Sequence, residues 1–190
     1  MTHNWPDLLV LRHGQTEWNL AGRFQGRQNS DLTELGRAQA RQQNSILSVH
    51  GGNFPDHFSS PQTRAYETAK IALGQSEVAQ DVRLAEVAFG DWEGMTRSYI
   101  KTQITGDFDD HQWFFQSPGG ESFADMASRV RAFMDDLTGP AIIVTHGVTS
   151  VVLRGLWLGL SMEGLAVLPT VQGCVYRLAN GQETILHDQA

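Results

Sequence analysis

Leu8-Leu9-Val10-Leu11-Arg12-His13-Gly14 is the stretch whose reading decides the fold. Four apolar residues without a 3.6 period, ending at a charge, suit a short strand buried on both faces of a parallel-type sheet. The pattern recurs where Ala141-Ile142-Ile143-Val144 runs into Thr145-His146-Gly147. Ligands of open α/β sheets bind in the crevice outside the carboxyl ends of the strands, so both histidines are expected at one functional edge. Each glycine would let the backbone turn sharply and approach a ligand closely. Arg12 adds a planar fork able to donate two parallel hydrogen bonds to phosphate or carboxylate oxygens. One histidine alone is more often structural; two in matching positions, one beside an arginine, point to a site.

Working outward, Thr33 can cap a helix whose Leu35, Ala38, Gln42, Ile46 and Val49 lie roughly along one face. His57-Phe58-Ser59 reads as a second strand. A helix follows from about Gln62 to Leu73 and stops at Gly74. The segment Gly90 to Gly120 mixes glycine, aspartate and aromatics without sustained periodicity, and reads as an insertion with one or two short helices. Ser122 and Asp125 resemble a capping box that opens a helix carrying Phe123, Met126, Val130, Met134 and Leu137, ended by Gly139-Pro140. Cys174 to Ala179 and Gln182 to His187 flank Asn180-Gly181, a two-residue hairpin signal. Strands alternating with helices predict an α/β three-layer sandwich with a mixed, mostly parallel sheet and a C-terminal β-hairpin. No repeat or linker is visible, so residues 1–190 are expected to form one domain.

Composition narrows the function. With 190 residues, 41% hydrophobic and 18% charged, the chain has ordinary globular usage. A net charge of −7 argues against a nucleic-acid binder, which needs a basic face. It also means that any phosphate site must be a local cluster of cations. The single cysteine, Cys174, excludes an intrachain disulfide and reads as a small buried thiol. The N-terminal residues carry no secretory pattern, and the most apolar stretch, Val151 to Leu160, is short and contains Arg154, so no membrane span is expected. A cytoplasmic location follows as the default.

Among the seven histidines, His3, His50, His57, His111 and His187 are scattered, and no HExxH, paired Asp-x-Asp or Cys-x-x-Cys element accompanies them. They read as surface or hydrogen-bonded side chains; no metal and no cofactor is expected. Arg64 lies just inside the helix after Ser59-Ser60-Pro61-Gln62-Thr63, where it could point toward the carboxyl edge of the sheet. Taken alone it reads rather as a solvated helix charge.

Six segments in order change that weighting: RHGQTEWN (Arg12 to Asn19), FQG (Phe24 to Gly26), LTELGRAQA (Leu32 to Ala40), SSPQTRAYETA (Ser59 to Ala69), LAEVAFGDWEG (Leu84 to Gly94) and VTHG (Val144 to Gly147). Together they resemble the histidine phosphatase superfamily, the phosphoglycerate-mutase-like group. Within it, the chain is similar to phosphatases of the α-ribazole-phosphate and broad-specificity types. The resemblance implies that His13 is the nucleophile, taking the phosphoryl group as phosphohistidine. It makes Arg12, Arg64 and His146 the phosphate pocket and Glu86 the proton donor. Asn19 and Gln25 match positions lining the substrate entrance.

That assignment makes chemical sense. Phosphate-monoester hydrolysis is so slow uncatalysed that enzymes speed it by up to about 10²¹-fold. The transition state is loose and spreads charge over the equatorial oxygens, so positioning and electrostatics dominate. Two arginines and a cationic His146 could supply the donors, while His13 must offer an unprotonated nitrogen. A carboxyl group can protonate the leaving alkoxide and later take a proton from water, the work assigned to Glu86. Asp91 and Glu93 read as loop or cap carboxylates. Trp113, Phe114 and Phe115 either cover a small-molecule pocket or simply pack the insertion down. The expectation is a metal-independent phosphomonoesterase acting on a small phosphorylated metabolite. The alternatives are a phosphoglycerate mutase, against which Val87 rather than arginine follows Glu86, and a non-catalytic phosphate-ligand binding protein on the same fold.

Overall fold

Leu8 to Arg12 forms a central strand of a six-stranded sheet. The computed structural model describes residues 5–103 and 113–188, apart from the side chain of Phe114. His3, His111 and the 104–112 part of the expected insertion therefore lie outside the described residues. In chain order the elements are β1 (Leu8–Arg12), α1 (Glu17–Leu20), α2 (Glu34–His50), β2 (Asp56–Ser59), α3 (Thr63–Leu73), β3 (Ala79–Gln80), α4 (Arg97–Gln103), α5 (Phe123–Asp135), β4 (Ala141–Thr145), α6 (Gly147–Leu158), β5 (Val175–Ala179) and β6 (Gln182–Leu186).

The sheet order is β3-β2-β4-β1-β5-β6. The first four strands run parallel, β5 is antiparallel to β1, and β6 is antiparallel to β5, as the mixed, mostly parallel expectation requires. Alternation along each strand splits the core in two. Leu8, Val10, Ala141 and Ile143 pack with Met126, Val130 and Met134 of α5 and with Val152 and Leu153 of α6. Leu9, Leu11, Ile142 and Val144 pack with Ile46 and Leu47 of α2 and with Ala69 and Ala72 of α3. Three layers result. Asn180 (φ 52°) and Gly181 (φ 74°) make the hairpin turn between β5 and β6, both in the left-handed region that a two-residue primed turn demands.

Several expectations need correction. α2 starts after Thr33, whose side chain accepts from Gly36 N, but its buried face is Gly36, Ala40, Gln43, Ile46 and Leu47. Leu35 is 54% exposed and Val49 76% exposed. Ile46 packs in the core as expected, beside Leu47, while the first half of the helix docks through small residues. A Cβ on Gly36 would lie 2.0 Å from the Gln15 carbonyl oxygen, and one on Gly14 would lie 2.2 Å from the Gly36 oxygen, so the two backbones touch. Gly14 therefore serves helix packing rather than ligand approach, and it does not have a positive φ. α5 ends at Asp135, before Gly139-Pro140, while β3 is a two-residue exposed edge strand too short to leave a pattern. Among the described residues no helix is long and apolar enough to cross a membrane.

Candidate active site

β1 and β4 are neighbours with Arg12 paired to Thr145, so their next residues, His13 and His146, emerge side by side. The His13 amide donates to the Thr145 carbonyl at 3.0 Å and carries the ladder one step past the strand. The His13 ring is buried, with Nδ1 2.7 Å from the Gly14 carbonyl oxygen. Arg64 Nε donates to His13 Nε2 at 3.3 Å. A carbonyl only accepts and a guanidinium only donates, so the hydrogen sits on Nδ1 and the lone pair on Nε2. Burial, then Arg64 and Arg12, push this imidazole well below its ordinary 6.5, opposed by its bond to Gly14. It is neutral at neutral pH.

His146 is fully buried, its ring centroid 5.1 Å from that of His13. Nε2 lies 2.7 Å from Ser60 Oγ, which also accepts from Gln62 N at 3.2 Å. The serine hydrogen has no other acceptor among the described residues, so it goes to Nε2 and leaves Nδ1 as a buried N–H without a partner. Burial, then Arg64, His13, Arg12 and Arg129, hold His146 well below the usual imidazole range. The resting residue is thus neutral, not the expected cation, because a ring this enclosed beside two guanidinium groups cannot hold a further charge.

Arg12 lies against Gly147, where a Cβ would sit 3.5 Å from its guanidinium carbon, an ordinary van der Waals contact. Arg12 Nη1 donates to Thr170 O at 2.5 Å, while the buried Nε has no partner and Nη2 makes no hydrogen bond to a described residue. That leaves one edge of the fork uncommitted. Arg64, in the first turn of α3, uses all three nitrogens: besides Nε, Nη1 reaches Gln28 O (2.6 Å) and Asn29 Oδ1 (3.1 Å), and Nη2 reaches Gly26 O (2.9 Å). Burial lowers it to about 10, opposed by Glu86 and Glu93 and assisted by Arg12, so it remains a cation near neutrality.

Glu86 sits at the start of α6. Its Oε2 accepts from Val148 N at 3.2 Å, and its Oε1 accepts from Thr149 N (3.1 Å), Thr149 Oγ1 (3.0 Å) and Val87 N (3.0 Å). His146 gives that helix no side-chain cap, so the carboxyl meets amides that would otherwise be orphaned. Gln62 ties the assembly together, accepting from Glu86 N at 2.7 Å and donating to Gly26 O at 2.8 Å. Asn19 Oδ1 accepts from Thr16 N in a capping box on α1, and Gln25 Oε1 accepts from Ser30 Oγ.

A cavity of about 610 Å³ brings Arg12, His13, Arg64, Glu86, Asn19 and Gln25 together; His146 is not among its lining residues but its ring lies 5.1 Å from that of His13. Phe24, Phe89, Trp113, Phe115 and Phe123 form one apolar stretch of the lining. Val151, Met162, Leu165 and Leu168 form another. Phe24 meets Phe89 edge-on at 4.8 Å and Trp113 at 5.5 Å. Glu93 accepts from Arg27 N and Phe89 N, binding two loops together as a loop carboxylate should. Ser60, Gln62, Thr149 and Thr170 were missed by sequence reasoning; small polar residues at turns and helix starts carry no signal apart from ordinary capping. Arg23 and Arg97 also line the cavity and look in sequence like any surface arginine. Among the described residues no group of three or more histidine, cysteine, aspartate or glutamate side chains is arranged to hold a metal ion.

Comparison with known proteins adds kinship to this geometry. The model of the histidine phosphatase superfamily (branch 1) matches residues 8–186. The chain is 34% identical over 180 residues to glucosyl-3-phosphoglycerate phosphatase of Mycolicibacterium vanbaalenii, covering 85% of this chain and 78% of that one. It is 32% identical over 192 residues to the 2,3-bisphosphoglycerate-dependent phosphoglycerate mutase of Xanthobacter autotrophicus, covering 90% and 91%. A solved structure of the mycobacterial glucosyl-3-phosphoglycerate phosphatase in complex with VO3 superposes with a TM-score of 0.79 at 27% identity, covering 97% of this chain and all of that one.

Proposed function

This chain belongs to the histidine phosphatase superfamily, and from that premise we propose that it is a metal-independent phosphomonoesterase with His13 as nucleophile. One observation carries the reading. The His13 lone pair lies on Nε2, at the cavity, because Nδ1–H is spent on Gly14. Nε2 attacks phosphorus as the ester P–O bond breaks, and the Glu86 carboxyl gives its proton to the departing oxygen. Water then attacks the phosphohistidine, passes a proton to Glu86, and the P–N bond breaks to release inorganic phosphate and restore the imidazole. The uncommitted edge of Arg12 and the spare Nδ1–H of His146 offer donors to the phosphoryl oxygens, while Arg64 turns from its loop carbonyls to the phosphate.

The substrate is a small phosphorylated metabolite whose remainder enters past Asn19 and Gln25 against the aromatic wall. Residues 1–190 act as one domain in which the described parts of the 90–120 insertion border the cavity; Arg97, Trp113 and Phe115 on its lining support this. The setting is cytoplasmic, with no nucleic-acid or membrane partner, and the net charge of −7 supports the first exclusion. Val87 after Glu86, where mutases commonly carry arginine, favours hydrolysis over mutase activity.

The test is turnover of p-nitrophenyl phosphate in the presence of a chelator. Activity should persist there and vanish in His13→Ala, while Glu86→Gln should slow an alkyl phosphate at least about tenfold more than this aryl ester. Equal slowing would remove Glu86 from the acid role. Failure to hydrolyse any member of a broad ester panel would sink the phosphatase reading. Transfer of phosphate between positions of phosphoglycerate, faster than its hydrolysis, would select the mutase.

A further inference from the structure

Arg154 is a fully buried cation that this chemistry does not touch. It stands in α6, and a guanidinium so enclosed is costly unless its donors are used. They are all used. Nη1 forks onto both oxygens of Glu183 at 2.9 and 3.0 Å, and Nε reaches Ser150 O and Oγ at 3.2 and 3.1 Å. Nη2 donates to Pro169 O at 2.6 Å, and the guanidinium carbon lies 3.8 Å from the centre of the Tyr176 ring.

The next carbonyl along, that of Thr170, is the one that accepts from Arg12. The one after that, Val171 O, accepts from Tyr176 Oη at 3.1 Å. Gln172 Nε2 then donates to His13 O at 3.0 Å. Four consecutive residues, 169–172, thus form a strap with one end held by Arg154 and the other tied to Arg12 and His13. We propose that Arg154 is a positioning residue, anchoring this strap so that the Thr170 carbonyl turns the uncommitted edge of Arg12 toward the phosphate. The inference rests on the cavity being a phosphate site.

Stability alone does not account for an arginine here, since a buried ion pair is often replaced by apolar side chains without loss. The three-way fork does. Lysine, a point charge, could not hold Glu183, Ser150 and Pro169 together. Displacement of a phosphate ligand by even about 1 Å can cost on the order of 10²-fold in rate, so a loosened strap is read directly in activity.

A double-mutant cycle isolates this role from a merely structural one. Wild type, Arg154→Met, Arg12→Ala and the double variant would be compared, all confirmed folded by circular dichroism. The measurements are the calorimetric affinity for inorganic phosphate and kcat and KM on p-nitrophenyl phosphate. Arg154→Met should weaken phosphate binding and lower kcat by about tenfold or more. In the Arg12→Ala background the same change should cost less than about twofold. An equal factor in both backgrounds, or wild-type phosphate affinity in folded Arg154→Met, would overturn the proposal. If Arg154→Met does not fold, Glu183→Gln loosens the same anchor and enters the same cycle. A wild type that binds phosphate yet hydrolyses no ester would defeat the phosphatase reading while the binding cycle still decides the role of Arg154.

Discussion

At the scale of single residues, two neutral imidazoles in a basic, enclosed site tie catalysis to acid stability. Unfolded, His13 and His146 take up protons near 6.5; folded, both are held well below it, chiefly by burial. Below that value the unfolded chain binds more protons than the native one, so stability falls as pH drops, levelling off only beneath the folded values. Each imidazole contributes at most about 1.4 kcal/mol per pH unit inside that window. Urea midpoints at about pH 7.5 and about pH 5.5 should therefore differ clearly for the wild type and less for His146→Gln. An unchanged pH slope in the variant would mean that His146 binds its proton equally well folded and unfolded, and is not held neutral by burial.

Among elements, the contact between α2 and the loop after β1 is set by glycine against backbone. Gly36→Ala puts a methyl group 2.0 Å from the Gln15 carbonyl oxygen, a collision with main chain that no rotamer relieves. It should cost roughly 1–3 kcal/mol or more in chemical denaturation and lower kcat, because the loop displaced is the one that presents His13. Gly52→Ala is the control, since a Cβ there meets nothing within 4 Å. Equal stability of the two variants would show that the loop yields without resistance. The same contact explains why the apolar face of α2 was misread from sequence. Leu35 and Val49 satisfy a helical period, yet the buried side is chosen by the slim Gly36 and Ala40 and by Gln43, whose amide donates to Arg12 O and Cys174 O. Where large apolar residues make the docking surface, as with Met126, Val130 and Met134 on α5, periodicity gave the right face.

For the whole molecule, the two apolar strands that run into histidine lie side by side at the centre of the sheet, and both were legible because a doubly buried strand is a continuous apolar run. The site was legible only as far as motif positions went. His13, Arg12, Arg64 and Glu86 do converge on one cavity, but the partners that fix them are main-chain carbonyls and amides of Gly14, Gly26, Thr170 and Val148, which no side-chain code announces. With a net charge of −7, affinity for a phosphate dianion would come from the short-range donors of the arginines those groups hold, rather than from the overall field. Inorganic phosphate at about 100 times its Kd should then stabilise the protein by about 2.7 kcal/mol, a Tm rise of roughly 5–10 °C. Arg64→Met should abolish most of that rise; a full rise in the variant would locate the binding elsewhere.

The bond from Arg64 Nε to His13 Nε2 carries a last consequence. At rest the attacking lone pair is sheathed by a guanidinium whose other donors are spent on carbonyl and amide oxygens, so a stray electrophile finds nothing to react with. With His13 as the proposed nucleophile, a ligand rich in negative oxygen is what would draw the arginine away, and the act that unsheathes the imidazole would be the same act that seats the phosphorus before it. On the proposed mechanism, recognition and arming are a single event, and discrimination against adventitious acyl or alkyl donors follows from the resting hydrogen bond.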